Sequence, residues 1–161
     1  LTFANMASNY LAKKIGSDVQ LGLDCKNKIL YSNGNLDVLS IKKKLFVIII
    51  KPNFGCSAKE IYRGVQNFSQ KKLSKNKKNY FSFKNIIKLQ NDLEKIVFTY
   101  YPKLNQVKSF MEDLPNIHFV RMTGSGSAIV GYFLSKNAVI NATKLFKKKY
   151  KNYWCIKSKT I

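Results

Sequence analysis

The stretch from His118 to Phe133, HFVRMTGSGSAIVGYF, restricts the fold more tightly than any other in the chain. β-Branched and aromatic residues alternate from Ile117 to Met122, break at Gly124-Ser125-Gly126-Ser127, and resume from Ala128 to Leu134. The pattern predicts a strand, a glycine-rich turn and a second strand, with a helix following. Two glycines one residue apart let the backbone take positive φ and admit another backbone or a phosphate at close range. Thr123, Ser125 and Ser127 add small hydroxyl donors without bulk. Such a turn can direct backbone N–H groups into a concavity that holds an anion. It can equally be a plain hairpin turn in which glycine serves geometry alone, since short glycine motifs recur by chance.

Upstream of this stretch, apolar residues at Phe3, Met6, Ala7, Tyr10, Leu11 and Ile15 predict a helix over residues 2–15, ended by Gly16. Val19 to Leu23 reads as a strand, and residues 28–32 and 36–40 flank Asn33-Gly34-Asn35, a strong hairpin signal. Residues 1–44 therefore read as a helix with a three-stranded trailing edge, too small to hold a core alone. A second unit, 45–161, opens with an apolar strand from Leu45 to Lys51. Ser57-Ala58-Lys59-Glu60 follows as a capping box, with the Glu60 carboxylate reaching back to the Ser57 N–H. The lysine-rich run 69–82 has no period and reads as an exposed loop or insertion. A helix is predicted over 85–101, another from Pro102 to about Leu114, and a last one over 137–149 with Val139, Ile140, Ala142, Leu145 and Phe146 inward. A strand from Tyr153 to Lys157 closes the chain. The order from Leu45 is β-α-α-α-β-β-α-β, which predicts an α+β sandwich, ferredoxin-like with an extra helix.

At 161 residues the chain can bury one core. No apolar run approaches the twenty or so residues of a membrane span. Cys25, Cys56 and Cys155 are odd in number and form no CxxC pair. They read as reduced, mostly buried thiols of a cytoplasmic protein. The net charge of +21 invites a nucleic-acid reading. Yet of 29 basic residues only Arg63 and Arg121 are arginine, the residue suited to bidentate phosphate and base recognition. A lysine-rich solvated surface accounts for the charge without a specific nucleic-acid partner. His118 is the only histidine, with no nucleophile at a recognisable spacing, and takes no role.

Four segments in register, Ile15-Gly16-Ser17-Asp18-Val19, PNFGCSAKEIY from Pro52, Asn91-Asp92-Leu93-Glu94 with Tyr101-Pro102 after it, and TGSGSAIVGYF from Thr123, resemble the GHMP kinases. Their form is most similar to the branch acting on 4-diphosphocytidyl-2-C-methyl-D-erythritol. The resemblance implies a GHMP kinase C-terminal domain over 45–161, with 1–44 closing an N-terminal domain similar to ribosomal protein S5. It also implies ATP and Mg²⁺ as cofactors, a small cytidyl compound as substrate, and Asp18 as the base at its hydroxyl. Gly124, Ser125 and Gly126 would support the phosphate-binding loop, and no residue is implied as a metal ligand. Where that family has proline after its G-[AS]-D-V segment, this chain has Gln20, and the family's G-L-G-G-G-S-S loop and assisting lysine do not occur in it. The chain, starting Leu-Thr-Phe inside a predicted helix, is therefore expected to be a fragment. Other GHMP kinases, such as homoserine or mevalonate kinase, are the alternative within the family, and a basic RNA-binding α+β domain the alternative outside it. From the residues alone, Asp18 can also simply cap the Gly16 turn, and the Asn91–Glu94 segment reads as solvent-exposed helix surface.

Overall fold

The computed structural model describes residues 3–39, 43–68 and 83–160, so the lysine-rich run 69–82 lies outside the described residues. The chain divides into two units, Leu1–Lys43 and Lys44–Thr160.

In the first unit, helix α1 (Phe3–Ile15) ends where the Gly16 N–H reaches back to the Ala12 carbonyl at 3.0 Å. Val19 to Leu23, expected as a strand, instead belongs largely to a second helix, α2 (Ser17–Gly22). Five residues of alternation are too few to separate the two periods. Val19 and Leu23 also stand four apart, a helical spacing, and Asp18 falls in the first turn, where a carboxylate complements the helix dipole. The expected three-stranded edge is thus a two-stranded one. β1 (Lys28–Leu30) pairs with β2 (Leu36–Val38) through the predicted Asn-Gly turn. Gly34 takes φ 79°, and the Asn33 side-chain oxygen accepts from the Asn35 N–H at 3.0 Å. Ahead of the hairpin, Lys28 Nζ lies 2.7 Å from Asp24, and its hydrogen bond holds that carboxyl below its ordinary pKa.

The second unit follows the predicted order of strands and helices except that one predicted helix is split in two. Strands β3 (Phe46–Lys51), β4 (Ile117–Met122), β5 (Ile129–Phe133) and β6 (Trp154–Lys159) form one sheet in the order β4-β5-β3-β6, every neighbour antiparallel. That is the ferredoxin-like arrangement, with helices between β3 and β4 and between β5 and β6. Ile48 and Ile50 of β3 and Ile129 and Phe133 of β5 form the middle of the core. Against them pack Leu104, Val107 and Met111 of α6 (Pro102–Glu112) and Val139, Ala142 and Phe146 of α7 (Lys136–Lys149). Pro102 opens α6 because the first helical position needs no N–H donor.

Three local expectations are corrected. The helix expected over 85–101 is interrupted: a short α4 (Phe83–Ile86) ends, the chain turns through residues 87–93, and α5 (Glu94–Tyr100) starts afresh. At the start of the break the Ile86 and Ile87 carbonyls accept from Arg121, and at its end the Asn91 side-chain oxygen accepts from the Leu93 N–H at 3.0 Å, a local turn in place of a helical bond. The capping box before α3 (Ala58–Arg63) is half formed: Ser57 Oγ accepts from the Glu60 N–H at 3.4 Å, but the Ser57 N–H donates to the Tyr101 hydroxyl. Leu145, expected inward, is exposed, while its neighbour Phe146 is fully buried beside the rings of Phe110, Tyr150 and Tyr153. The thiols are free as expected but not deeply buried, Cys25 being exposed and Cys56 and Cys155 half-buried.

Phe146→Ala in the full chain is expected to cost about 3–5 kcal/mol in urea denaturation. Leu145→Ala, one position away, should stay within about 0.5 kcal/mol of the parent. Equal losses at the two sites would show that α7 does not present this face.

Candidate active site

The glycine turn hangs between β4 and β5, closed by two backbone bonds: Thr123 N–H to the Ala128 carbonyl and Gly126 N–H to the Thr123 carbonyl, both 2.9 Å. Gly124 has φ 49° and Gly126 φ 85°, so both positions need glycine's freedom. Their surroundings differ. A Cβ on Gly124 would meet no atom within 4 Å, leaving that stretch of backbone open to approach. A Cβ on Gly126 would stand 3.1 Å from Met122 Sδ and 3.2 Å from Cys56 Sγ. One glycine therefore presents backbone, and the other lets the turn sit down on its support. Burial pushes the Cys56 thiol above its ordinary pKa, so it packs there as a neutral, weakly polar group.

Side chains from two other segments hold the turn. Ser127 is buried, and its hydroxyl donates to the Phe54 carbonyl at 2.8 Å, tying the turn to the PNFGC loop after β3. Phe54 stacks in turn on Tyr101. From the other side, the Asn91 amide nitrogen donates to the Met122 carbonyl at 3.1 Å and to the Gly124 carbonyl at 2.7 Å. Glu94 Oε1 accepts from the Met122 N–H at 2.7 Å, and its other oxygen lies 3.9 Å from Lys108 Nζ. Asn91 and Glu94, expected to be exposed helix surface, are thus bound to the turn. Besides the family resemblance of Asn91-Asp92-Leu93-Glu94, the sequence sign is an Asn-Asp pair inside an apolar period, a turn signal within a predicted helix.

Three of the four sequence segments therefore meet in one hydrogen-bonded cluster in the second unit, with Gly124, Ser125 and Gly126 at its outer end. Asp18 belongs to the first unit, exposed in the opening turn of α2 rather than at a helix-to-strand corner. His118 lies exposed on β4, its ring against Phe119. Beside the cluster is a cleft of about 680 Å³ lined by Lys88, Asp92, Glu94, Lys95, Lys108 and Arg121, among others. Two of its cations have protein partners. Lys108 pairs with Glu112 at 2.6 Å, and Arg121 donates to the carbonyls of Ile86 and Ile87 at 3.2 and 3.1 Å.

Residues 71–152 match the family described as GHMP kinases C terminal. The chain belongs to the GHMP kinases. It is 46% identical over 154 residues to the 4-diphosphocytidyl-2-C-methyl-D-erythritol kinase of Pelagibacter ubique, covering 96% of this chain and 55% of that protein. The corresponding kinase of Syntrophomonas wolfei is 25% identical over 155 residues, 92% of this chain and 54% of the relative. The chain spans about half the length of the curated relatives it matches. A crystal structure of 4-(cytidine 5'-diphospho)-2C-methyl-D-erythritol kinase superposes with a TM-score of 0.70 at 21% identity, over 92% of this chain and 55% of that one. Homoserine kinase from Cytophaga hutchinsonii superposes at 0.60 with 16% identity, over 85% and 49%. At those identities both show the shared GHMP kinase fold.

The contrast between the two turn glycines is measurable. Gly124→Ala is expected to cost about 1–2 kcal/mol, the left-handed backbone penalty alone. Gly126→Ala adds a steric clash with the sulfurs of Met122 and Cys56, and overpacking of that kind costs about 1–3 kcal/mol more. Chemical denaturation of both variants should rank them in that order; the reverse order would contradict the packing described.

Proposed function

We propose that this chain is the C-terminal part of an ATP-dependent kinase that phosphorylates the 2-hydroxyl of 4-diphosphocytidyl-2-C-methyl-D-erythritol, a reaction of the cytoplasm in isoprenoid precursor synthesis. In this reading residues 1–44 close the N-terminal domain and 45–161 form the C-terminal domain. The observation that carries it is the 46% identity over nearly the whole chain to a kinase of that name. The built state of the glycine turn supports it, because a purely connective hairpin would not need Ser127, Asn91 and Glu94 to fix it from two sides.

Phosphoryl transfer asks the protein chiefly for positioning and charge stabilisation. Asp18 takes the proton of the substrate hydroxyl as that oxygen attacks the γ-phosphorus; the bond to the β-phosphate oxygen breaks and ADP leaves. Gly124, Ser125 and Gly126 support the phosphate-binding loop from the C-terminal side. The open space at Gly124 fits that task, since a neighbouring backbone or phosphate can come up to it without meeting a side chain. Mg²⁺ arriving with ATP would supply charge neutralisation on the phosphate oxygens. An RNA-binding reading is weakened by Arg121, whose guanidinium is engaged with two backbone carbonyls.

The test is ADP formation by the complete protein with ATP, Mg²⁺ and the cytidyl substrate, set against homoserine and mevalonate as competing substrates. The 161-residue chain alone is the control, expected to give no turnover. Asp18→Asn keeps size and most hydrogen bonds but cannot accept a proton, so kcat should fall by about 10²–10⁴ with substrate binding near the parent value. A kcat within about threefold of the parent, in a variant that still melts normally, would remove Asp18 from the catalytic role.

A further inference from the structure

We propose that Asn91 is a positioning residue that sets which way the glycine turn aims its Ser125 N–H, and through it the turn's contribution to holding ATP. The inference rests on the kinase reading above and assigns a role to a side chain outside the turn. In a trans peptide the C=O and the following N–H point in opposite directions. Asn91 Nδ2 holds two such carbonyls, Met122 O at 3.1 Å and Gly124 O at 2.7 Å. The Met122 link turns the Thr123 N–H toward β5, where it meets the Ala128 carbonyl at 2.9 Å. By the same geometry the Gly124 link turns the Ser125 N–H away from Asn91 and toward the open side of the turn.

Without Asn91, Gly124 could rotate that peptide cheaply. It has no Cβ, no atom within 4 Å of the place one would occupy, and therefore little packing to resist a flip. Gly126 lies over the sulfurs of Met122 and Cys56 with no room for a Cβ and is held by its own bond to Thr123, and Ser127 is anchored on Phe54. The Gly124–Ser125 peptide is thus the loose link in an otherwise fastened turn, and the Asn91 amide fastens it. The same residue's Oδ1 accepts from the Leu93 N–H, so its two polar atoms serve different ends: the oxygen closes the turn ahead of α5 and the nitrogen aims the glycine turn.

That separation gives the experiment. Asn91→Asp in the complete enzyme keeps an acceptor for the Leu93 N–H but sets a carboxylate against two carbonyl oxygens. Asn91→Ser also keeps an acceptor for the Leu93 N–H and introduces no charge repulsion, which covers the case in which the aspartate variant does not fold. With the aim of the Ser125 N–H lost, KM for ATP should rise by about tenfold to a hundredfold, the scale of a misplaced positioning group. KM for the cytidyl substrate should stay within about twofold while the enzyme remains folded. An unchanged KM for ATP in a folded variant, with or without a lowered Tm, would leave Asn91 a local structural residue only and overturn the proposal. Absence of ATP-dependent activity in the parent enzyme would overturn the kinase reading instead, and this inference with it.

Discussion

Strand β3 is the constraint on which the second unit depends. Phe46-Val47-Ile48-Ile49-Ile50 is too apolar to sit at an edge, and it lies in the middle of the sheet with β5 on one side and β6 on the other. Its register then decides where everything else emerges. Ile50 pairs with Ile129, the first residue of β5, so the turn that precedes β5 and the loop that follows β3 leave the sheet at the same end. The Ser127 hydroxyl can reach the Phe54 carbonyl for that reason. The meeting of two motifs more than seventy residues apart is a consequence of strand pairing, and the hydrogen bond secures what the register has already brought close.

At the far side of the turn the physics is that of a sheet edge. Among the described residues β4 has β5 as its one strand neighbour, so the outward N–H and C=O of Met122 need other partners. Asn91 and Glu94 supply them, one donor and one acceptor, as an additional strand would. The arrangement costs a continuous helix, because Asn91 must leave the helical path to reach the edge. It returns a turn whose backbone is specified from both flanks. Lys108 then offsets the Glu94 carboxylate, linking α6 to the same point.

The protein's large positive charge plays little part in this cluster. Arg121, one of two arginines, is spent on the Ile86 and Ile87 carbonyls and on the face of Phe119, which itself stacks on Tyr132. Burial raises the Tyr132 hydroxyl above its ordinary pKa, with the neighbouring Arg121 charge opposing that rise. The groups bonded to the turn are thus backbone dipoles, the Asn91 amide, the Ser127 hydroxyl and the Glu94 carboxylate with Lys108 beside it, while lysines such as those ending α7 lie on other faces.

Much of this was legible in the residues. The apolar run of β3, the Asn-Gly hairpin, Pro102 at the head of α6 and the glycine turn each carry a local signal strong enough to name their structure. Their order implied the α+β sandwich. Where the sequence misled, the competing conformations were locally close in energy. Val19 to Leu23 satisfies both the two-residue and the four-residue period, and Asn85 to Tyr101 contains a helical pattern that side-chain bonds from Arg121 and Asn91 interrupt. Glu60 could have completed its capping box, but the Tyr101 hydroxyl occupied the Ser57 N–H instead. The sequence by itself determined which segments are apolar enough to be buried and which positions require glycine. Only the tertiary structure decided what Asn91, Glu94 and Ser127 do, because their partners are backbone groups of other segments, and a backbone carbonyl leaves no mark in the sequence that could identify it as an acceptor.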